Sequence, residues 1–158
     1  METKGNKEDY VHVTFPLIVD EDGYPPVGSE RIWAKRLSKN LYEIDNIPFF
    51  VTGISCGDKI TAKEVDGILY YDEVVEYSGN TTLHVILLED KNPEAALQRK
   101  DELIGFLKSA GCEVEVSHIP TLISVQVPRS ASLDAVIAYL KKGAEEKKWD
   151  YEESALRQ

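Results

Sequence analysis

Chemically versatile side chains are scarce in this sequence. Its 158 residues include two cysteines, three histidines and one methionine. A disulfide-built scaffold is excluded, because Cys56 and Cys112 supply one bridge at most; the simpler expectation is two reduced thiols in a cytoplasmic protein. No C-x-x-C or H-x-x-x-H spacing occurs, and His12, His84 and His118 fall on separate segments, so no metal and no cofactor is expected. No glycine-rich phosphate loop of the G-x-x-x-x-G-K-[ST] type is present. No apolar run approaches the roughly 20 residues that span a bilayer. The segment Met1 to Asp9 lacks the apolar stretch of a signal peptide. Residues 1–10 read instead as a flexible arm.

Basic charge is also in deficit. The chain carries 28 acidic against 18 basic side chains, a formal net charge of −10. That balance argues against nonspecific nucleic-acid binding and against anionic membranes, both of which need a surplus of Lys and Arg. Apolar residues make up 42% of the chain, which is enough to build a core and excludes wholesale disorder.

The pattern changes near Ser78-Gly79-Asn80. Before it, apolar residues alternate over short runs. Val11, Val13, Phe15 and Leu17 share one parity; Arg31 to Leu37 and Leu41 to Ile44 read as a hairpin turning at Ser38-Lys39-Asn40. Asp58 to Val65 and Ile68 to Tyr77 read as a second hairpin, with Asp66-Gly67 as a two-residue turn. Five short strands without a helix, over 11–79, predict an SH3-like barrel or a small, highly curved sheet.

After Asn80, strands alternate with helices. Thr81 to Leu88 is β-rich; Asn92 caps a helix that begins at Pro93 and ends before Gly111. That helix is expected to bury Leu97, Ile104 and Leu107, with Leu103 beside them. Cys112 to Ser117 and Leu122 to Val127 alternate, with Val114, Val116, Ile123, Val125 and Val127 inward. A second helix, capped by Ser130 or Ser132, carries Leu133, Val136, Ile137 and Leu140 and ends near Gly143. The tail Lys148 to Tyr151 either returns as a last strand or packs its two aromatics. The order β-α-β-β-α(-β) over 80–158 is that of a ferredoxin-like sandwich, so the whole chain is expected to be α+β. Parity on its first strand puts His84 on the face opposite Leu83 and Val85, in company with Glu113, Glu115, Ser124 and Gln126. That polar, acidic face is either covered by the β-rich half, used by a partner, or solvated.

Three constellations bear on function. The turn Asp20 to Tyr24 resembles the start of a calcium loop, but Pro25 stands where the loop's glycine belongs and Arg31 where its bidentate acid belongs, so an acidic surface turn is expected. Residues 1–79 hold 15 acids and 8 bases, the remainder 13 and 10, so the negative field belongs mainly to the β-rich half. Its exposed points are expected at Asp20, Asp22, Asp72, Glu73 and Glu76, with Tyr24 beside Pro25-Pro26 as an aromatic anchor for a protein partner. The alternative is a pocket between the halves where Cys56, Asp58, Asn80 and His84 converge, with His84 as acid–base group of a small enzyme or ligand sensor. A third reading is a module that oligomerises through a sheet edge.

The strings Trp33-Ala34, Asn46 to Phe50, Gly53 to Asp58, Ser78 to Thr82 and Trp149 to Glu152 resemble a bacterial family of small acidic proteins known only as a domain of unknown function. The resemblance runs from about Val11 to Glu152. It implies no catalytic residues. It points to the bacterial cytoplasm and to interbacterial toxin systems, where a small acidic protein acts as an immunity factor. A noncatalytic immunity protein that captures a basic toxin domain is therefore the leading expectation, and an enzyme the lesser one.

Overall fold

A computed structural model describes residues 9–157. Of the arm expected over 1–10, residues 1–8 lie outside the described residues, and Tyr10 already belongs to a strand. The chain divides into two units, one ending at Ser78 and the other starting at Gly79. Together they hold two sheets and two helices, an α+β protein. No helix among the described residues is long and apolar enough to cross a membrane.

The first unit is a closed barrel of β1 (Tyr10–Pro16), β2 (Ser29–Ser38), β3 (Leu41–Ile44), β4 (Lys59–Val65) and β5 (Ile68–Glu76). Successive strands pair antiparallel, and a parallel pairing of Thr14 with Tyr70 closes the ring. Period-two alternation sends Val13, Phe15, Ile32, Ala34, Tyr42, Ile44, Ile60 and Ala62 into one core. The β4–β5 turn has φ of 53° at Asp66 and 83° at Gly67. Positive φ at both central residues is the type I′ geometry that matches strand twist, and glycine adopts it without steric penalty.

One carboxylate has an unexpected structural task. Glu30 accepts hydrogen bonds from the backbone N–H groups of Phe49 (2.8 Å), Phe50 (2.9 Å) and Val51 (3.0 Å). It thereby anchors the apolar segment Ile47 to Val51, of which Ile47 and Val51 are buried. Three charge-assisted bonds satisfy donors that no strand partner reaches.

The second unit comprises β6 (Thr81–Leu87), α1 (Pro93–Ser109), β7 (Glu113–Val116), β8 (Leu122–Val127), α2 (Leu133–Glu145) and β9 (Trp149–Ala155). The tail thus returns as a strand. Its sheet has the order β7-β8-β6-β9, with antiparallel pairings throughout. Asn92 caps α1 by accepting from Glu94 and Ala95 N–H, and Pro93 opens the helix where its missing N–H goes unneeded. Ser132 caps α2 through Ala135 N–H. Leu103 and Leu107 of α1, Val136 and Leu140 of α2, and Leu83, Val85, Ile123, Val125 and Val127 of the sheet form one core.

Two expectations need correction. Leu97 is 61% exposed; the buried stripe of α1 is Leu103–Leu107, and Leu97 lies about 100° round the helix from it at 100° per residue. Val116 is exposed too, at the end of the edge strand β7. The second helix does end near Gly143, at Glu145, but Gly143 itself lies within it. It is buried, and a Cβ there would collide with the ring of Trp149, so its lack of a side chain serves packing and not termination.

Candidate functional site

The acidic turn between β1 and β2 is held by its own first residue. Asp20 Oδ1 accepts from Asp22 N–H and Tyr24 N–H, both at 2.9 Å, and Asp20 N–H donates to Tyr24 C=O at 2.8 Å. An aspartate that fastens the backbone two and four residues on turns a charged loop into a defined shape. Asp20, Glu21 and Asp22 are exposed on it. Tyr24 is 38% exposed, and its ring meets Phe50 edge-on at 6.2 Å, so the segment anchored by Glu30 supports it from beneath.

The second acidic group lies on β5. Lys59 and Lys63 of the neighbouring strand face it: Lys59 Nζ is 3.4 Å from Glu76, and Lys63 Nζ 3.7 Å from Asp72, which also accepts from Thr61 Oγ1 at 3.4 Å. Cross-strand cations thus offset part of the charge that composition assigned to this strand. Glu73 is exposed between them.

The residues of the alternative pocket have structural partners. Asp58 is fully buried; its Oδ2 accepts from Ser55 N–H at 2.9 Å and its Oδ1 from Ser78 N–H at 2.8 Å. Cys56 is partly buried, and its Sγ–H points to Ile44 C=O at 3.6 Å. Asn80 is partly buried after Gly79. Within the first unit, then, Cys56 and Asp58 share one loop whose hydrogen bonds fix its shape. Cys112 is a buried free thiol, and burial pushes its pKa up, as for a core residue.

His84 lies in the second unit, 1% exposed, with Nδ1 2.7 Å from Glu152 Oε2 on β9. Thr82, Ser124 and Gln126 on the same face are buried as well, and Gln126 Nε2 donates to Glu113 at 3.1 Å. The centre of this face is therefore not solvated. Glu152 on β9 and Glu113 on β7 supply partners for His84 and for the Gln126 amide nitrogen.

The His84–Glu152 contact makes a pH prediction. The hydrogen bond from His84 holds the Glu152 carboxyl below its ordinary pKa of 4.5, against an opposing effect of burial. A carboxylate depressed in the folded state contributes stability that is complete above 4.5 and disappears as pH falls through its folded value. Glu152 is 48% exposed, so solvent screening keeps the effect small. Urea unfolding of Glu152→Gln and of the unaltered protein should show a gap that is constant at neutral pH and narrows in acid. A gap that keeps its size below pH 4.5 would contradict the pairing.

Among the described residues no group of three His, Cys, Asp or Glu side chains is placed to hold a metal ion. Two signals escaped sequence reasoning. The Glu30 clamp spans about twenty residues and has no local motif; the His84–Glu152 pair spans sixty-eight.

No curated protein matches the chain. A solved structure described as a "novel crystal structure of a hypothetical protein from Neisseria gonorrhoeae" is similar in fold, with a TM-score of 0.72 and 19% identity over 95% of this chain and 96% of that one. The model of the family described as a domain of unknown function (DUF4265) matches residues 30–151, from the clamp glutamate to the start of β9, and the chain belongs to that family.

Proposed function

We propose that this chain is a noncatalytic protein-binding protein that captures a basic partner, of the kind presented by a toxin domain, so that it acts as an immunity protein. The observation that carries the reading is the acidic turn: Asp20 fastens it, Asp22 and Glu21 are displayed on it, and Tyr24 stands half out of the surface against Phe50. A rigid aromatic ringed by charge is the composition of an interface anchor, and a net charge of −10 speeds encounter with a cation-rich surface. In the same reading the first unit is an SH3-like barrel and the second, with helices against one face of a β7-β8-β6-β9 sheet, a ferredoxin-like sandwich.

The enzyme alternative would require His84 to reach a substrate. Its ring is 1% exposed and engaged by Glu152.

The test uses a purified toxin domain encoded beside this protein's gene. Binding kinetics are measured at low and high salt with the unaltered protein, Asp22→Lys and Tyr24→Ala. The reading expects an association rate that falls steeply with salt and with Asp22→Lys, and a dissociation rate raised roughly tenfold or more by Tyr24→Ala. No binding to such a domain, or binding indifferent to both substitutions, would remove this surface from the account.

A further inference from the structure

The acidic unit carries a groove of opposite character. A depression of about 730 Å³ runs along β1 between β2 and β5, lined by Tyr10, His12, Arg31, Trp33, Arg36 and Tyr70. That volume lies within the range of about 300–1,000 Å³ typical of small-ligand sites. Two arginines and four aromatic or imidazole rings converge there, against the single carboxylate of Glu64, in a protein whose overall charge is −10. Along it β1 meets β5 through the register pair Thr14 with Tyr70.

The middle of the groove is an ordered cluster. His12 and Trp33 are cross-strand partners, and their rings lie 3.7 Å apart between centroids, tilted by 34°. Arg31 Nη2 donates to His12 Nδ1 at 2.9 Å. Burial first, and then the charge of Arg31, holds the His12 pKa below its usual value, so the ring is neutral and Nδ1 accepts. The contact in turn orients the Arg31 guanidinium, which has further N–H donors beyond the one directed at His12. Trp33 nonetheless keeps 44% of its surface exposed, an unusual state for the largest apolar side chain. Arg31 and Trp33 stand two residues apart on β2, hence on the same face and about 6.6 Å apart along the strand.

We propose that this groove binds a mononucleotide, with the base stacked on Trp33 and the phosphate held by Arg31, while Arg36 at the far end adds positive field. An indole face accepts any flat heteroaromatic ring, and a guanidinium offers a phosphate paired donors in a fixed fork. The strand spacing between them suits a ring joined to its charge through one sugar. A long nucleic acid is disfavoured: one preorganised guanidinium neutralises one phosphate, and the remaining phosphates would meet a protein of net charge −10.

The test exploits the placement of the two tryptophans. Trp33 is exposed in the groove, whereas Trp149 is 2% exposed in the other unit. The intact protein is titrated with AMP, adenosine, inorganic phosphate and a short oligo(dA), and tryptophan emission is recorded. AMP should give saturable quenching, at least tenfold tighter than adenosine or phosphate alone, weakened tenfold or more by Arg31→Gln and abolished as a signal in Trp33→Phe. Calorimetric titration of the unaltered protein gives the same ranking without depending on any variant. The proposal is overturned if AMP binds no better than its two halves, if quenching survives in Trp33→Phe, or if oligo(dA) binds more tightly than AMP.

Discussion

Trp149→Ala should lower the unfolding free energy of the second unit by about 3–5 kcal/mol, the range for removing a large buried aromatic. Trp149 opens β9, is 2% exposed, and donates from Nε1 to Leu140 C=O at 2.9 Å. Its truncation removes core volume and leaves a helical carbonyl without that bond. The same contact can be tested from the opposite side. In an exposed helix, Gly→Ala stabilises by about 1 kcal/mol through backbone entropy. At Gly143 the ring of Trp149 occupies the space a Cβ would need, so Gly143→Ala should destabilise by about 1–3 kcal/mol. The sign decides between propensity and packing. In a Trp149→Ala background the obstacle is gone, and Gly143→Ala should become neutral or favourable. Urea unfolding of the two single variants and the double variant closes the cycle. Strict additivity would show that the glycine and the indole do not meet.

Asp58→Asn is expected to destabilise the first unit by about 2–4 kcal/mol, although it is nearly isosteric. Both carboxylate oxygens accept from backbone N–H groups, Oδ1 from Ser78 and Oδ2 from Ser55, and the side chain is fully buried. An amide has one oxygen. Whichever way it is turned, its NH₂ faces an N–H, which leaves opposed donors with no water to separate them. Thermal melting followed by Trp33 emission would report the loss in the barrel. A change within about 0.5 kcal/mol would place Asp58 among ordinary surface positions and reopen a chemical role for it. The substitution therefore also separates a structural aspartate from a reactive one, the question raised by its place in the string Gly53 to Asp58.

The parts of this fold that were legible in the sequence are those whose signals are local. Asp66-Gly67 marked the β4–β5 turn because a two-residue I′ turn demands positive φ at adjacent positions. Asn92-Pro93 and Gly111 bracketed α1 because capping involves neighbours in the chain. Alternation revealed the strands of both sheets. Illegible features depend on partners distant in sequence. Gly143 looks like a helix stop until Trp149 is seen against it. Leu97 and Ile104 are seven apart and share a helical side, yet the sheet takes the side of Leu103 and Leu107. The parity of His84 was readable, but its partner Glu152 lies sixty-eight residues further on, and its burial has no local signal. As for the candidate surface, the exposure of Asp22 and Tyr24 was expected from an acidic turn with an aromatic beside two prolines. The lysines that reach Glu76 and Asp72, Lys59 directly across and Lys63 diagonally, follow from a strand register that composition does not contain.

Strand order also sets a timetable for folding. In the barrel, β2 meets β3 with Ser38 opposite Leu41, and β4 meets β5 with Val65 opposite Ile68, so these pairs close over a few residues. In the other unit β6 lies between β8 and β9, and its partners run as far as Ala155. Loop-closure entropy must be overcome before such distant pairings return any enthalpy, and folding slows accordingly. The two hairpins of the barrel should thus form while β6, like the ring-closing contact of β1 with β5, still waits for its distant neighbour. Trp149, carried on that neighbour, would register the slow step in a stopped-flow trace, with Trp33 registering the earlier one.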